Sequence, residues 1–189
     1  MKKYPNLIKQ LIASEAEQVW VADITYIYVG YDFNYLSLIT DAYSKKIVGY
    51  CLHPYLNNEG SLIALEMALA GRTKLSNQLI HHSDRGVQYC SFDYVLRLRE
   101  ANIKISMTEN GDVYENAIAE RVNGILKTEF KLNKIHRTAT EAKLTIDASI
   151  EAYNSRRPHM SCDYLTPMQA HEMTGVLEKK WKSKNYLIR

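Results

Sequence analysis

The chain has 189 residues, 46% hydrophobic and 24% charged, with a formal net charge of +3. This is the balance of one soluble globular domain with appendages, and no apolar run reaches the ~18–20 residues that a membrane span requires. Three well-separated cysteines (Cys51, Cys90 and Cys162) argue against a disulfide framework and offer no Cys-His zinc spacing. Behind Met1-Lys-Lys-Tyr-Pro there is no apolar core or small-residue cleavage site, so the expectation is a cytoplasmic protein without a signal peptide.

In chain order, residues 1–17 read as a lead-in segment, partly helical around 7–13. Residues 18–29 then change character. Val19-Trp-Val-Ala-Asp23-Ile-Thr-Tyr-Ile-Tyr-Val29 is rich in β-branched and aromatic residues on both alternating faces, as a strand covered on both sides would be. Gly30-Tyr31-Asp32 predicts a turn, 33–40 a second strand, and 47–52 a third after the polar corner Ser44-Lys45-Lys46. Connections this short imply an antiparallel meander. Asn57 or Asn58 offers an N-cap for a helix to about residue 75, with Leu62, Leu65 and Leu69 along one face. A short strand at 78–82 ends in Ser83-Asp84-Arg85-Gly86. A helix near 92–101, a strand at 103–106 and a mobile loop at 107–113 follow. Two helices, 114–130 and 138–154, close the core, the second opened by a capping-box pattern of Thr138 and Glu141. The expected units are the lead-in 1–17, a catalytic core 18–155, and a C-terminal loop with basic tail, 156–189. Strand and helix order gives an α/β fold with a mixed sheet and helices on its faces.

Three acidic residues sit where a stability argument struggles. Asp23 interrupts an apolar strand, where a buried carboxylate is costly unless paired or bound to metal. Asp84 directly follows the end of another strand, where ligand-binding residues of open α/β sheets collect. Glu120 lies in the helix after the loop, on a polar stripe with Asn116, Asn123 and Lys127, opposite an apolar stripe of Ile118, Val122 and Ile125. Three carboxylates converging from two strands and a helix suit hard cations, two magnesium or manganese ions, in phosphoryl transfer. Asp41 also ends a strand but reads as a turn former before Ala42-Tyr43-Ser44. Glu109, Asp112 and Glu115 compete with Glu120, although acids near a helix start are favoured by its dipole alone. His81 and His82 flank the strand end, where packing is the commoner role. A two-carboxylate glycosidase is open on composition but leaves the third acid unexplained.

Charge is uneven along the chain. Residues 1–126 carry 12 basic and 14 acidic side chains, whereas 127–189 carry 12 and 7. A phosphate backbone crossing the C-terminal third would suit that distribution; a solvated lysine-rich tail explains it equally well.

Four ordered blocks resemble the integrase-core transposases of bacterial insertion sequences, and more narrowly the insertion-sequence-three family. They are Trp20-Val-Ala-Asp23-Ile-Thr-Tyr-Ile; His82-Ser-Asp84-Arg-Gly-Val-Gln-Tyr89; Glu115-Asn-Ala-Ile-Ala-Glu120-Arg-Val-Asn-Gly-Ile-Leu-Lys127; and Tyr153-Asn-Ser-Arg-Arg157-Pro-His-Met-Ser161 with Tyr164-Leu-Thr-Pro167. The 35 residues between Asp84 and Glu120 match the spacing that this family shares with retroviral integrases. Glu115 and Cys162-Asp163 depart from the usual pattern without touching the three acids.

The resemblance implies a ribonuclease-H-like fold, with a mixed five-stranded sheet of three antiparallel and two parallel strands. It also implies magnesium-dependent cleavage of a transposon end and attack of its 3′-hydroxyl on another phosphodiester. On this reading Asp23, Asp84 and Glu120 are the catalytic metal ligands. Lys127, Asn116, Arg121, Asn123, Arg156 and Arg157 are the candidate DNA contacts, with His159 beside them. For Arg121 and Asn123, plain helix-surface polarity is the competing account; for Arg156, Arg157 and His159 it is capping of the last helix.

Partners would be transposon-end and target DNA, a second copy of the chain when assembled on DNA, and an upstream helix-turn-helix module. Members of the family carry such a module before the core. Here the strand bearing Asp23 begins about twenty residues in, so the expectation is the catalytic portion alone, as a separate reading frame, a trimmed protein or a truncated gene. Two alternatives are a related nuclease that cuts without joining and a non-catalytic remnant that binds DNA and dampens transposition.

Overall fold

The computed structural model describes residues 4–75, 78–109 and 116–180. Strands β1 (Val19–Val29), β2 (Asp32–Asp41) and β3 (Ile47–His53) form the meander that the short connections require. Helix α1 (Asn58–Ala70), β4 (Ile80–Ser83), α2 (Phe92–Glu100), β5 (Lys104–Met107), α3 (Ala117–Thr128), α4 (Ala139–Arg156) and α5 (Pro167–His171) follow. The sheet order is β3-β2-β1-β4-β5, with β1 antiparallel to β2 and parallel to β4. The long β1 is therefore central, and its first half is covered on both faces, which is why Val19–Ala22 is apolar at successive positions, while Tyr26 and Tyr28 further along are exposed on one face.

One face of the sheet packs Trp20, Ala22 and Ile39 against Ala64, Leu65 and Ala68 of α1 and Tyr94 and Leu98 of α2. Gly49 makes that approach possible, since a Cβ there would stand 2.1 Å from the Ala64 carbonyl oxygen. The opposite face packs Ile27, Leu36 and Leu38 against Val122, Ile125 and Leu126 of α3 and Ile146, Ile150 and Tyr153 of α4. Gly30, at φ +61, makes the turn from β1 to β2. Among the described residues no helix is long and apolar enough to cross a membrane.

Several expectations need correcting. Residues 7–13 form no helix. Leu7, Leu11 and Ile12 are exposed, so a helix there would have no buried face to offset its nucleation cost. The strap instead runs along the β5 edge: the Leu7 amide donates to Ser106 Oγ (2.8 Å), and Met107 N donates to the Pro5 carbonyl (3.3 Å). Helix α1 ends at Ala70, not near residue 75, capped at its start by Asn57 as expected. Thr138 caps α4 by accepting from Glu141 N, but the Glu141 carboxylate reaches one residue further back, to Arg137 N (2.8 Å).

The C-terminal segment is not all loop and tail. Thr166 and Gln169 form a reciprocal capping box with Pro167 at the first turn, and α5 returns to pack on α4. Of the expected loop, residues 110–113 lie outside the described residues, as do the first residues of the helix placed at 114.

Candidate active site

Strands β1 and β4 run parallel in a register that sets Val19 opposite Ile80 and Val21 opposite His82. The same register carried two residues on brings Asp23 level with Asp84, just beyond the last paired residues. Side chains alternate along a strand, so Val19, Val21 and Asp23 share a face with Ile80, His82 and Asp84. Helix α3 covers that face, Ala119 packing with Val19, Val21 and Ile80, and Glu120 is the next residue. The middle of β1, the exit of β4 and the first turn of α3 thus bring the three expected acids near enough for Asp84 and Glu120 to act electrostatically on Asp23.

The chain turns sharply after β4. Asp84 Oδ1 accepts from the Gly86 amide (2.9 Å), and a Cβ on Gly86 would meet that same oxygen at 2.9 Å. Two asparagines, two helical turns apart, fix α3 against β1. Asn116 Nδ2 donates to the Ala22 carbonyl (3.1 Å), and Asn123 Nδ2 donates to Asp23 Oδ2 (2.7 Å). Both are buried. The polar stripe therefore faces the strand carrying Asp23, and Asn116 and Asn123 hold the site together instead of standing on an open surface.

The Asp23 carboxyl is pushed up to about 6, mainly by burial, with the neighbouring Asp84 and Glu120 charges adding to the effect. The bond from Asn123 and the Ile24 amide act against it. Asp84 and Glu120 are exposed. Among the described residues, no group of three or more His, Cys, Asp or Glu side chains stands close enough together to hold a metal ion. The three carboxylates sense one another without meeting. Their chemistry fits a hard divalent cation, since every donor is a carboxylate oxygen and a cation would relieve their repulsion.

The other expected residues separate. Lys127 is partly exposed in the last turn of α3, while Arg121 and Arg156 are exposed. Arg157 makes a two-pronged ion pair with Glu129, with both N–O distances 2.6 Å. Asp41 is fully buried and builds the β2–β3 turn, accepting from Tyr43 N (3.2 Å), Ser44 N (2.8 Å) and Ser44 Oγ (2.8 Å). Its sequence reading as a turn former holds. Glu109 accepts from the Asn6 amide (3.2 Å), whereas Asp112 and Glu115 lie outside the described residues. His81 and His82 are buried beside Tyr94 OH (2.9 Å) and Ser106 Oγ (2.8 Å) respectively. Sequence reasoning missed the clamping role of Asn123. Its spacing from Glu120 located the face but could not say what covered it.

A family described as integrase core domain matches residues 13–112, and a second family of the same description matches residues 101–167. The transposase for insertion sequence element IS629 of Shigella sonnei is 34% identical over 164 residues, covering 87% of this chain and 55% of that protein. Transposase InsF for insertion sequence IS3A of Escherichia coli K12 is 34% identical over 166 residues, 87% of this chain and 57% of that protein. The chain thus spans a little over half the length of these relatives. Among solved structures, the HTLV-2 integrase catalytic core domain in complex with magnesium superposes with a TM-score of 0.66 at 18% identity, covering 85% of this chain and 99% of that one. That likeness establishes the ribonuclease-H-like fold.

Proposed function

This chain belongs to the integrase-core family, and from that premise we propose that it is the catalytic domain of a bacterial insertion-sequence transposase. It would cut DNA at a transposon end and join the freed 3′-hydroxyl to a target phosphodiester. The observation that supports this reading is the α3 clamp: Asn116 and Asn123 bond to adjacent residues of β1, which seats the helix carrying Glu120 against the strand carrying Asp23. Asp23, Asp84 and Glu120 would hold two magnesium or manganese ions. Bound there, the metals would activate the attacking oxygen and stabilise the leaving one.

The remaining work falls to the chain. Asn123 keeps Asp23 Oδ2 oriented, and the Gly86 turn presents Asp84 at the strand end. Lys127, Arg121 and Arg156 would meet phosphates. Further copies of the chain and a helix-turn-helix module would complete the assembly on DNA in the cytoplasm. The test is strand transfer from pre-cut donor ends, run beside a cleavage assay. Asp84→Asn is expected to lower joining by roughly a thousandfold or more, several kcal/mol of transition-state stabilisation, with the fold intact. Joining by that variant at the parent rate would overturn the reading, and cleavage without any joining by the parent would point to a nuclease.

A further inference from the structure

A groove of about 530 Å³ runs between the first turns of α3 and the segment that follows α4. Its lining includes Lys45 from the β2–β3 turn, Arg121 from α3, Arg157, His159 and Ser161 from the post-α4 segment, and Lys179. Among the described residues none of those lining it is acidic. Arg157 is paired with Glu129, whereas the Lys45 ammonium donates to the carbonyls of Ala42 and Tyr43, with burial drawing its pKa down and the nearby Asp41 charge acting the other way.

His159 marks the groove as a built site. It is 5% exposed, and among the described residues its Nε2 has no hydrogen-bond partner, a costly state for a buried polar atom. Its backbone is fixed, with the amide donating to the Leu165 carbonyl (2.9 Å), and Nδ1 lies 2.7 Å from Ser161 Oγ. When the Ser161 hydroxyl donates to Nδ1, Nε2 carries the ring proton and is a donor awaiting an acceptor. Burial, then the charges of Arg157, Lys45 and Arg121, hold the imidazole down at about 4. Lys45 and Arg121 thus add positive potential at a neutral ring, opposed by the Glu129 carboxylate already paired to Arg157, and the ring's Nε2 is left open to an acceptor.

We propose that this groove takes a phosphodiester of the DNA backbone, with His159 Nε2–H as the buried donor and Lys45, Arg121 and Lys179 as the surrounding cations. This rests on the reading of the chain as a DNA strand-transfer domain, and it adds a contact site around α3 from the carboxylates. Arg121 follows Glu120 directly, about 100° further round the helix, so a strand engaged at the carboxylates can be carried into the groove. The volume far exceeds one phosphate ion, as a passing backbone requires.

Two measurements test this. The first is retardation of a short random-sequence DNA duplex by the parent and by Arg121→Glu/Lys179→Glu. The second is the imidazole nitrogen NMR signal of His159 in the parent, assigned with His159→Gln, on adding either that duplex or inorganic phosphate. The expected results are about a tenfold or greater loss of affinity at low salt and a salt slope shallower by 1 to 2. The His159 signal should move with duplex at concentrations where phosphate leaves it unchanged. Parent-like affinity in the double variant together with an unmoved His159 signal would overturn the groove site and leave the transposase reading standing. A shift with phosphate but not with duplex would overturn it in favour of a small-anion site. Absence of any duplex binding by the parent would count against both.

Discussion

Two groups of acids in this chain, one buried and one centred on the half-buried Asp23, are handled in opposite ways. Glu17 and Asp41, both almost fully buried, are saturated with donors. The Glu17 carboxylate accepts from Thr73 N (2.9 Å), Thr73 Oγ1 (3.0 Å) and Lys74 N (2.7 Å), with Arg72 Nε at 3.7 Å. Asp41 Oδ2 accepts from Glu17 N (2.7 Å). His171 of α5 closes the group, its Nδ1 2.9 Å from Ser44 Oγ. Lead-in strap, β2–β3 turn, α1 exit and C-terminal helix are all tied at this point. Asp23, by contrast, has among the described residues one side-chain donor, Asn123, and two acidic neighbours that repel it. The first group uses carboxylates to hold the fold; the second leaves Asp23 short of donors, with its pKa raised.

The sharpest way to break the comparison is to exchange the roles by mutation. Glu17→Ala strips buried amides and Arg72 of their acceptor, and it is expected to lower stability by about 2–4 kcal/mol. For a chain of this length that is roughly 5–15 °C in melting temperature. Joining per folded molecule should be retained.

The group also has a pH signature. Burial alone would raise the Glu17 pKa, but the bonds from Thr73 and Lys74, helped by His171, bring it below its ordinary value of 4.5. A depressed carboxylate stabilises the fold fully above its unfolded pKa, and that contribution is lost as pH falls through the lower folded value. Melting curves between pH 6 and pH 3 should therefore fall more steeply for the parent than for Glu17→Ala. Parallel curves would show that Glu17 is not the anchor described here.

The second prediction concerns the repelled group. Magnesium at a hundredfold excess over its dissociation constant should stabilise the parent by about 2.7 kcal/mol through mass action. Asp84→Asn should lose most of that gain, and Glu17→Ala should keep it although it starts lower. A thermal shift equal in all three proteins would place the cation elsewhere.

Sequence patterning showed the two groups unequally. β1 announced itself through its continuous apolar run, and the register with β4 then makes Asp23 and Asp84 neighbours. The Asn57 and Thr138 caps were readable because capping is local. Thr166-Pro167-Met168-Gln169 carried an equally local signal for α5, which a reading of that segment as basic tail overlooked. The strap at 7–13 misled because Leu7, Ile8, Leu11 and Ile12 have helical spacing, while the partners that keep it extended, Ser106 and Glu109, are about a hundred residues away. Glu17 escaped notice for the same reason, since its donors come from residues 72–74. Long-range polar partners leave no trace in spacing.

The smallest expected effect on stability, and a sharp one on function, belongs to Lys127. Seven residues beyond Glu120, it returns to the same side of α3 roughly 10 Å further along the axis, at ~1.5 Å per residue. It is partly exposed in the last turn, where the helix dipole favours any cation, so its position alone does not demand a role. Asn116 and Asn123, which share its stripe, are taken up by β1, whereas Lys127 lies past the reach of that clamp and can extend towards DNA held at the carboxylates. If it grips a phosphate of the donor end, Lys127→Ala should reduce joining about tenfold at limiting DNA, and Lys127→Arg should restore part of it, because the charge survives and only its geometry changes. Melting temperature and the magnesium shift should stay within the ordinary range for a surface change, about 0.5 kcal/mol. Raising the DNA concentration should narrow the gap between Lys127→Ala and the parent, because a lost grip weakens binding of the end more than the chemistry. Equal joining by Lys127→Ala and the parent at limiting DNA would make it a solvated helix-end lysine and leave donor-end contacts to Arg121 and Arg156.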